Sequence, residues 1–144
     1  MKVTYIINQL AAGGAERVCI NIANLLHKNG IAVTLVVFNK RGRLFSIIDK
    51  GIRVVVLNKH KNVLKASKQL AIELKNTDIA HVHMYKTYQF VKLVALVNNI
   101  KTKIIIHDHF GNIQKDTKVP LFYKSFLKPH FFVGVSSSLT NWAT

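Results

Sequence analysis

The chain predicts a doubly wound α/β domain: a mostly parallel, Rossmann-like sheet with helices on both faces. Three observations lead there. Short apolar, β-branched runs alternate with segments whose apolar residues recur at helical spacing. The runs are apolar throughout, as strands buried on both faces are. The length of 144 residues, 49% of them hydrophobic, suffices for one sizeable core.

VTYIIN (3–8) is the first strand. Residues 14–29 then place Ala15, Val18, Cys19, Ile22 and Leu26 on one helical face, and Asn29-Gly30 ends the helix. VTLVVFN (33–39) is the second strand, followed by a short helical stretch over 44–49 and a third strand, RVVVL (53–57). The next element is a basic amphipathic helix over 62–76, expected to bury Val63, Ser67, Leu70, Ala71 and Leu74. IAHVH (79–83), an almost wholly apolar helix over 87–98, and KIIIH (103–107) continue the alternation. Residues 108–119 form a polar loop, and Pro120 suits the first turn of a helix reaching Leu127. FFVGVS (131–136) is the last strand, with Ser136 placed to cap a helix starting near Ser137.

Composition narrows the function classes. With 2 Pro and 9% aromatic residues, the chain is not of the disordered type. The lone Cys19 excludes a disulfide framework and a cysteine zinc site, and fits the cytoplasm or a cytoplasmic membrane face. The apolar run after Lys2 has no small-residue cleavage site, and the longest apolar stretches fall far short of the roughly 20 residues a membrane span needs. Lys and Arg number 21 against 6 Asp and Glu, a formal charge of +15. Such a field attracts nucleic acid, acidic lipid or a phosphorylated substrate. Charge alone does not choose among them.

In open α/β sheets the ligand site lies outside the carboxyl ends of the strands, where strand order reverses. A 3-2-1-4-5 order puts the reversal between the first strand and IAHVH. Three loops meet there: 8–14, 83–87 and 107–111, holding Gly13, Gly14, His83, Tyr85, Lys86, His107 and His109. Gly13 and Gly14 open a helix, so bare backbone N–H groups can face an anion; a tight turn with close helix–strand packing would need them equally. Glu16 in the first helical turn is favoured by the helix dipole regardless of function. Arg17 suits that end less well, which favours a ligand role.

Standard fingerprints are missing. LAAGGA is not the dinucleotide G-x-G-x-x-G, no nucleoside-triphosphate loop occurs, and VGVSSS is not a nucleophile elbow. No cofactor is expected. The pairs His81/His83 and His107/His109 each lie on one face of a strand, but no carboxylate or Cys accompanies either at ligand spacing, and no metal is expected. Lys61, Lys65, Lys68 and Lys75 line one side of the amphipathic helix, and KVPLFYKSFLK (118–128) mixes Lys with aromatics. Both stretches suit an anionic membrane surface as well as an ordinary solvated face.

GGAERVCINIANLLHKNGIAVTLVV, DIAHVHMYKT, KIIIHDHFG and FFVGVSSSLT resemble, in order, landmarks of the N-terminal domain of family 4 retaining glycosyltransferases. The resemblance spans nearly the whole chain, and its opening segment is the most specific part. It implies the GT-B fold, in which two Rossmann-like domains face each other across a cleft. It implies sugar transfer, usually without a metal, from a nucleotide-sugar to a sugar or lipid-linked acceptor in bacterial surface-glycan synthesis. Residues 1–144 would then be a single acceptor-side domain, at the cytoplasmic face of the plasma membrane. By the same resemblance Gly13 and Gly14 approach the donor diphosphate and acceptor. A histidine after the fifth strand lies near the donor sugar, where both His107 and His109 stand. Arg17, His83 and Lys86 are candidate phosphate contacts. The family's nucleotide-sugar pocket, with its paired glutamates on one helix, belongs to the C-terminal domain, and this chain has only Glu16 and Glu73. The 144 residues are therefore expected to be folded but inactive alone. The competing expectation is a non-catalytic, basic α/β domain that binds nucleic acid or another anion; nucleic acid is disfavoured because no aromatic stacking series stands among the basic residues.

Overall fold

The computed structural model describes residues 1–109 and 128–136. The expected helix after Pro120 and the helix start at Ser137 lie outside them, as do Gly111 and most of the 118–128 stretch. Among the described residues ten elements follow one another. They are β1 (Lys2–Ile7), α1 (Gly14–Lys28), β2 (Ala32–Val37), a 3-10 turn (Leu44–Ile47), β3 (Arg53–Val56), α2 (Val63–Lys75), β4 (Ile79–His83), α3 (Tyr85–Val97), β5 (Lys103–Asp108) and β6 (Phe131–Gly134). The six strands form one sheet in the order β3-β2-β1-β4-β5-β6, with every neighbouring pair parallel. The doubly wound α/β expectation is met, and the order reverses beside β1.

Side-chain alternation sorts the core into two halves. Val3, Tyr5 and Ile7 of β1 join Val33, Leu35 and Val37 of β2 against Cys19, Ile20 and Ala23 of α1. On the other face Ile6, Val36, Val55, Ala80, Val82, Ile104 and Ile106 pack against Leu70 and Leu74 of α2 and Tyr88, Val91 and Val94 of α3. His81, His83, His107 and His109 fall at odd positions, in step with Tyr5, so they share the α1 side of the sheet.

One expectation for α2 needs correcting. The helix begins at Val63, capped by Asn62, whose Oδ1 accepts from the Lys65 N–H at 2.8 Å. Its first residue overhangs the sheet, so Val63 is 53% exposed, and Ser67 is half-buried with its hydroxyl donating to the Val63 carbonyl at 2.8 Å. Ala66 and Glu73 take inward positions instead, beside Leu70, Ala71 and Leu74. Glu73 tolerates burial because Arg53 of β3 forks onto both carboxylate oxygens: Nη1 donates to Oε1 at 3.2 Å and Nη2 donates to Oε2.

The loops after β1 and β2 are tied together. The Leu10 N–H donates to the Arg41 carbonyl at 2.9 Å, and the Leu44 N–H donates to the Leu10 carbonyl at 3.3 Å. Between them Gly42 has φ +113°, and a Cβ there would run into the backbone of Leu10 and Ala11. The close approach and the backbone conformation both demand glycine. Gly42→Ala should therefore cost about 3 kcal/mol in urea unfolding, with the midpoint lowered and the slope unchanged.

Candidate active site

The site is built at the carboxyl ends of β1, β4 and β5. Gly13 is the N-cap of α1 in extended conformation (φ −84°, ψ 167°), and its side chain, being absent, caps nothing. Gly14 opens the helix, is exposed, and has nothing within 4 Å of where a Cβ would stand. The two glycines differ. A Cβ at Gly13 would meet the Glu16 carboxylate, which folds back over the N-cap. The open backbone thus begins at Gly14, and the carboxylate sits where the positive end of the helix dipole favours it.

The parallel register of β4 and β5 pairs His83 directly with His107. That register brings all four imidazoles into one stack. Ring centroids lie 4.9 Å apart for His81 and His83, 4.9 Å for His83 and His107, and 4.3 Å for His107 and His109. Tyr5 closes one side, 4.8 Å from His81 and 6.0 Å from His83. Two hydrogen bonds cross between the strands: His81 Nε2 to His107 Nδ1 at 3.3 Å, and His83 Nδ1 to His109 Nε2 at 3.1 Å. His83 is wholly buried, and among the described residues its Nε2 has no hydrogen-bond partner.

Burial and crowding keep these rings neutral. Desolvation, then repulsion from His107 and His109, lowers the His81 pKa to about 4. Burial, then His109, lowers that of His107 to about 4. His83 is lowered further, by burial first and then by its three neighbours. His109 is also lowered by burial, opposed by the charges of Asp108 and Glu16. The Glu16 carboxylate at the helix N-terminus is therefore felt at the far end of the imidazole stack.

The junction after β4 is unusual. Met84, the N-cap of α3, has φ 74° and ψ 138°, a conformation that L-residues rarely adopt and that costs of order 1–3 kcal/mol. Its N–H donates to the His107 carbonyl at 3.0 Å, which prolongs the β4–β5 ladder past the strand end. Strain of this kind persists where surrounding structure over-determines it.

Of the residues singled out from the sequence, the structure unites His83, His107 and His109 and adds His81, which the sequence offered only as one member of an H-x-H pair. Glu16 links the glycine turn to His109 electrostatically. Arg17 and Lys86 stand exposed in the first turns of α1 and α3. Among the described residues neither is hydrogen-bonded to the imidazoles. Sequence reading also missed a polar ladder along the same rim. Asn39 Nδ2 donates to Asn8 Oδ1 at 3.0 Å, and His60 Nδ1 donates to Asn39 Oδ1 at 2.7 Å. Asn closing both the first and the second apolar run was the available clue. Beside it the Lys59 ammonium lies 3.9 Å from the Phe90 ring centroid, and burial lowers its pKa.

The lowered imidazole pKa values carry a stability consequence. The unfolded chain takes up these protons near pH 6.5, whereas the folded cluster resists them until about pH 4. Stability is therefore full above pH 6.5 and falls as pH drops through that value, by up to about 1.4 kcal/mol per pH unit for each ring held neutral. Urea titrations in metal-free buffer between pH 7.5 and 4.5 should show this loss, and His81→Phe should flatten it.

Comparison with known proteins agrees with this architecture. Residues 12–142 match the family model described as Glycosyltransferase Family 4. Curated proteins gave no match by sequence. Among solved structures, the chain superposes on a lipopolysaccharide outer core galactosyltransferase, WaaB, in its apo form, with TM-score 0.69 at 14% identity, over 99% of this chain and 41% of that one. It also superposes on an alpha-glucosyltransferase in complex with UDP and a 13-mer DNA containing a central A:G mismatch, with TM-score 0.60 at 16% identity, over 94% and 37%. A further structure, of an alpha-glucosyltransferase with UDP and a 13-mer DNA containing an HMU base, gives 0.54 at 19% identity, over 79% and 30%. The chain thus spans about two fifths or less of these proteins. At such identities the superpositions speak for the fold, and the family match, covering most of the sequence, establishes that this chain belongs to glycosyltransferase family 4.

Proposed function

We propose that the chain is the acceptor-side half of a retaining glycosyltransferase, which moves a sugar from a nucleotide-sugar to a lipid-linked or polysaccharide precursor of a bacterial surface glycan. One observation carries the reading. The exposed N-terminus of α1 at Gly14 and the imidazoles ending β4 and β5 share one rim of the sheet, at the reversal of strand order. Backbone N–H groups at Gly14 and ring N–H groups of His107 or His109 are suited to hold a diphosphate and steady the charge that develops as it departs. Lys86 and Arg17 add mobile positive charge in the neighbouring first turns, and His83 orients His109. Glu16 must swing aside when the anion arrives. The donor nucleotide is assigned to a second, C-terminal Rossmann-like domain, and transfer needs no metal or cofactor in this reading. The WaaB likeness supports a glycan precursor as the acceptor class.

The face that would meet a membrane is on α2. Lys65, Lys68 and Lys75 are exposed there and Lys61 just before its N-cap, and Leu64 (77%) and Ile72 (58%) stand exposed among them. Basic residues interleaved with apolar ones suit an anionic bilayer on the cytoplasmic side. Among the described residues no helix is long and apolar enough to cross a membrane. A nucleic-acid acceptor is the second reading, favoured by the charge of +15 and by the likeness to alpha-glucosyltransferase structures that contain DNA.

Two experiments test the proposal. In amide NMR of the chain, pyrophosphate should shift the Gly14 and Ala15 resonances and the ring protons of His107 and His109. Gly14→Val should abolish those shifts while leaving thermal stability within about 1 kcal/mol, and Lys86→Gln should weaken binding about threefold to tenfold. Shifts confined to surface lysines would refute the site. Separately, the chain should sediment with phosphatidylglycerol vesicles and Lys65→Glu/Lys68→Glu should release it; DNA affinity without vesicle affinity would favour the second reading. The 144 residues alone should turn over no nucleotide-sugar.

A further inference from the structure

The imidazole stack has a property that sugar transfer does not require. One ring nitrogen from each of His81, His83 and His107 can be chosen so that all three lie within 4.8 Å of one another. We propose that these three side chains form a binding site for a borderline divalent transition ion of the Zn2+ class, with one coordination position left to solvent.

Taken singly, each H-x-H pair lacks a partner group at ligand spacing. The β4–β5 register supplies it by setting His83 against His107. A tetrahedral zinc ion with Zn–N bonds of about 2.0–2.1 Å holds its ligand nitrogens about 3.4 Å apart. His81 Nε2 and His107 Nδ1 already stand 3.3 Å apart. Small rotations about the side-chain torsions bring the third nitrogen in.

The hydrogen bonding has the form such a site needs. His83 Nδ1 lies 3.1 Å from His109 Nε2. With its Nδ1–H donating to His109, His83 presents a bare Nε2 lone pair, and that atom is the buried ring nitrogen with no partner among the described residues. His109 then fixes the tautomer of a ligand, as an outer partner of a metal-bound imidazole commonly does. The bond between His81 and His107 ties up one lone pair and one proton. Binding converts it to two lone pairs on the ion, with the shared proton relocating to the other nitrogen of its own ring through solvent. Neutral imidazoles bind without net proton release, and His83 and His107 are buried. Imidazole ligands suit Zn2+, Ni2+ and Cu2+, whereas Mg2+ and Ca2+ prefer oxygen.

The untagged chain, stripped with chelator, should be titrated with Co2+ as an optical probe and then with Zn2+ in competition. The expected result is one Co2+ per chain with intense visible absorption, displaced stoichiometrically by Zn2+. His81→Gln and His107→Gln should each weaken Co2+ at least about 100-fold with unchanged far-ultraviolet circular dichroism, and His27→Gln should not. Should either cluster variant fail to fold, the wild-type thermal midpoint decides, since it must rise steadily with Zn2+ concentration. An unmoved midpoint, uptake without saturation at one ion, or weakening by His27→Gln equal to that by His81→Gln would overturn the site.

Discussion

The parallel pairing of β4 with β5 is the constraint on which the candidate site depends. Its register places His83 beside His107; the spacing of two puts His81 of β4 on the same face, and His109, just past the end of β5, packs on His107 and bonds to His83. Four imidazoles so close cannot all carry charge, and desolvation keeps them neutral. The ladder does not stop at the strand ends. The Met84 N–H takes up the His107 carbonyl, and the backbone accepts a rare conformation to make that bond. Order within the sheet is thereby carried into the first turn of α3, where Lys86 stands.

The electrostatics of the rim are local against a strongly basic background. Few acids oppose the 21 basic residues, and two of them are placed with effect. Glu73 is consumed by Arg53 on the opposite edge of the sheet. Glu16 is folded over the N-cap of α1, where it neutralises the helix end and is felt by His109. A carboxylate thus occupies the position for which the proposed diphosphate would compete. Exchange of one anion for another costs less desolvation than filling a bare cationic hollow, because neither state leaves the helix end without a partner.

Much of the fold was legible because strands buried on both faces are written as unbroken β-branched runs. All six strands and the first three helices lie within a few residues of the elements the sequence predicts. The helix ends were less legible: Val63 fits an apolar stripe by spacing, yet overhangs the sheet because the helix begins there. The site was legible in part. H-x-H within a strand announces a shared face, but the register between two strands joined by an intervening helix is set by packing of the whole core, which no short pattern encodes. Gly42 escaped notice for a similar reason, since its necessity comes from the backbone of Leu10, which the fold alone brings near. The Asn8–Asn39–His60 ladder likewise needs three strand ends side by side before it exists.

The stitching of Leu10 to Arg41 and Leu44 makes the first two crossover loops a single mechanical piece. Surface loops of α/β domains ordinarily lengthen and shorten independently as lineages diverge. Here a residue gained or lost in either loop would pull the other out of alignment and tilt the start of α1. The two loops should therefore drift as a pair, with indels in one matched by compensating change in the other.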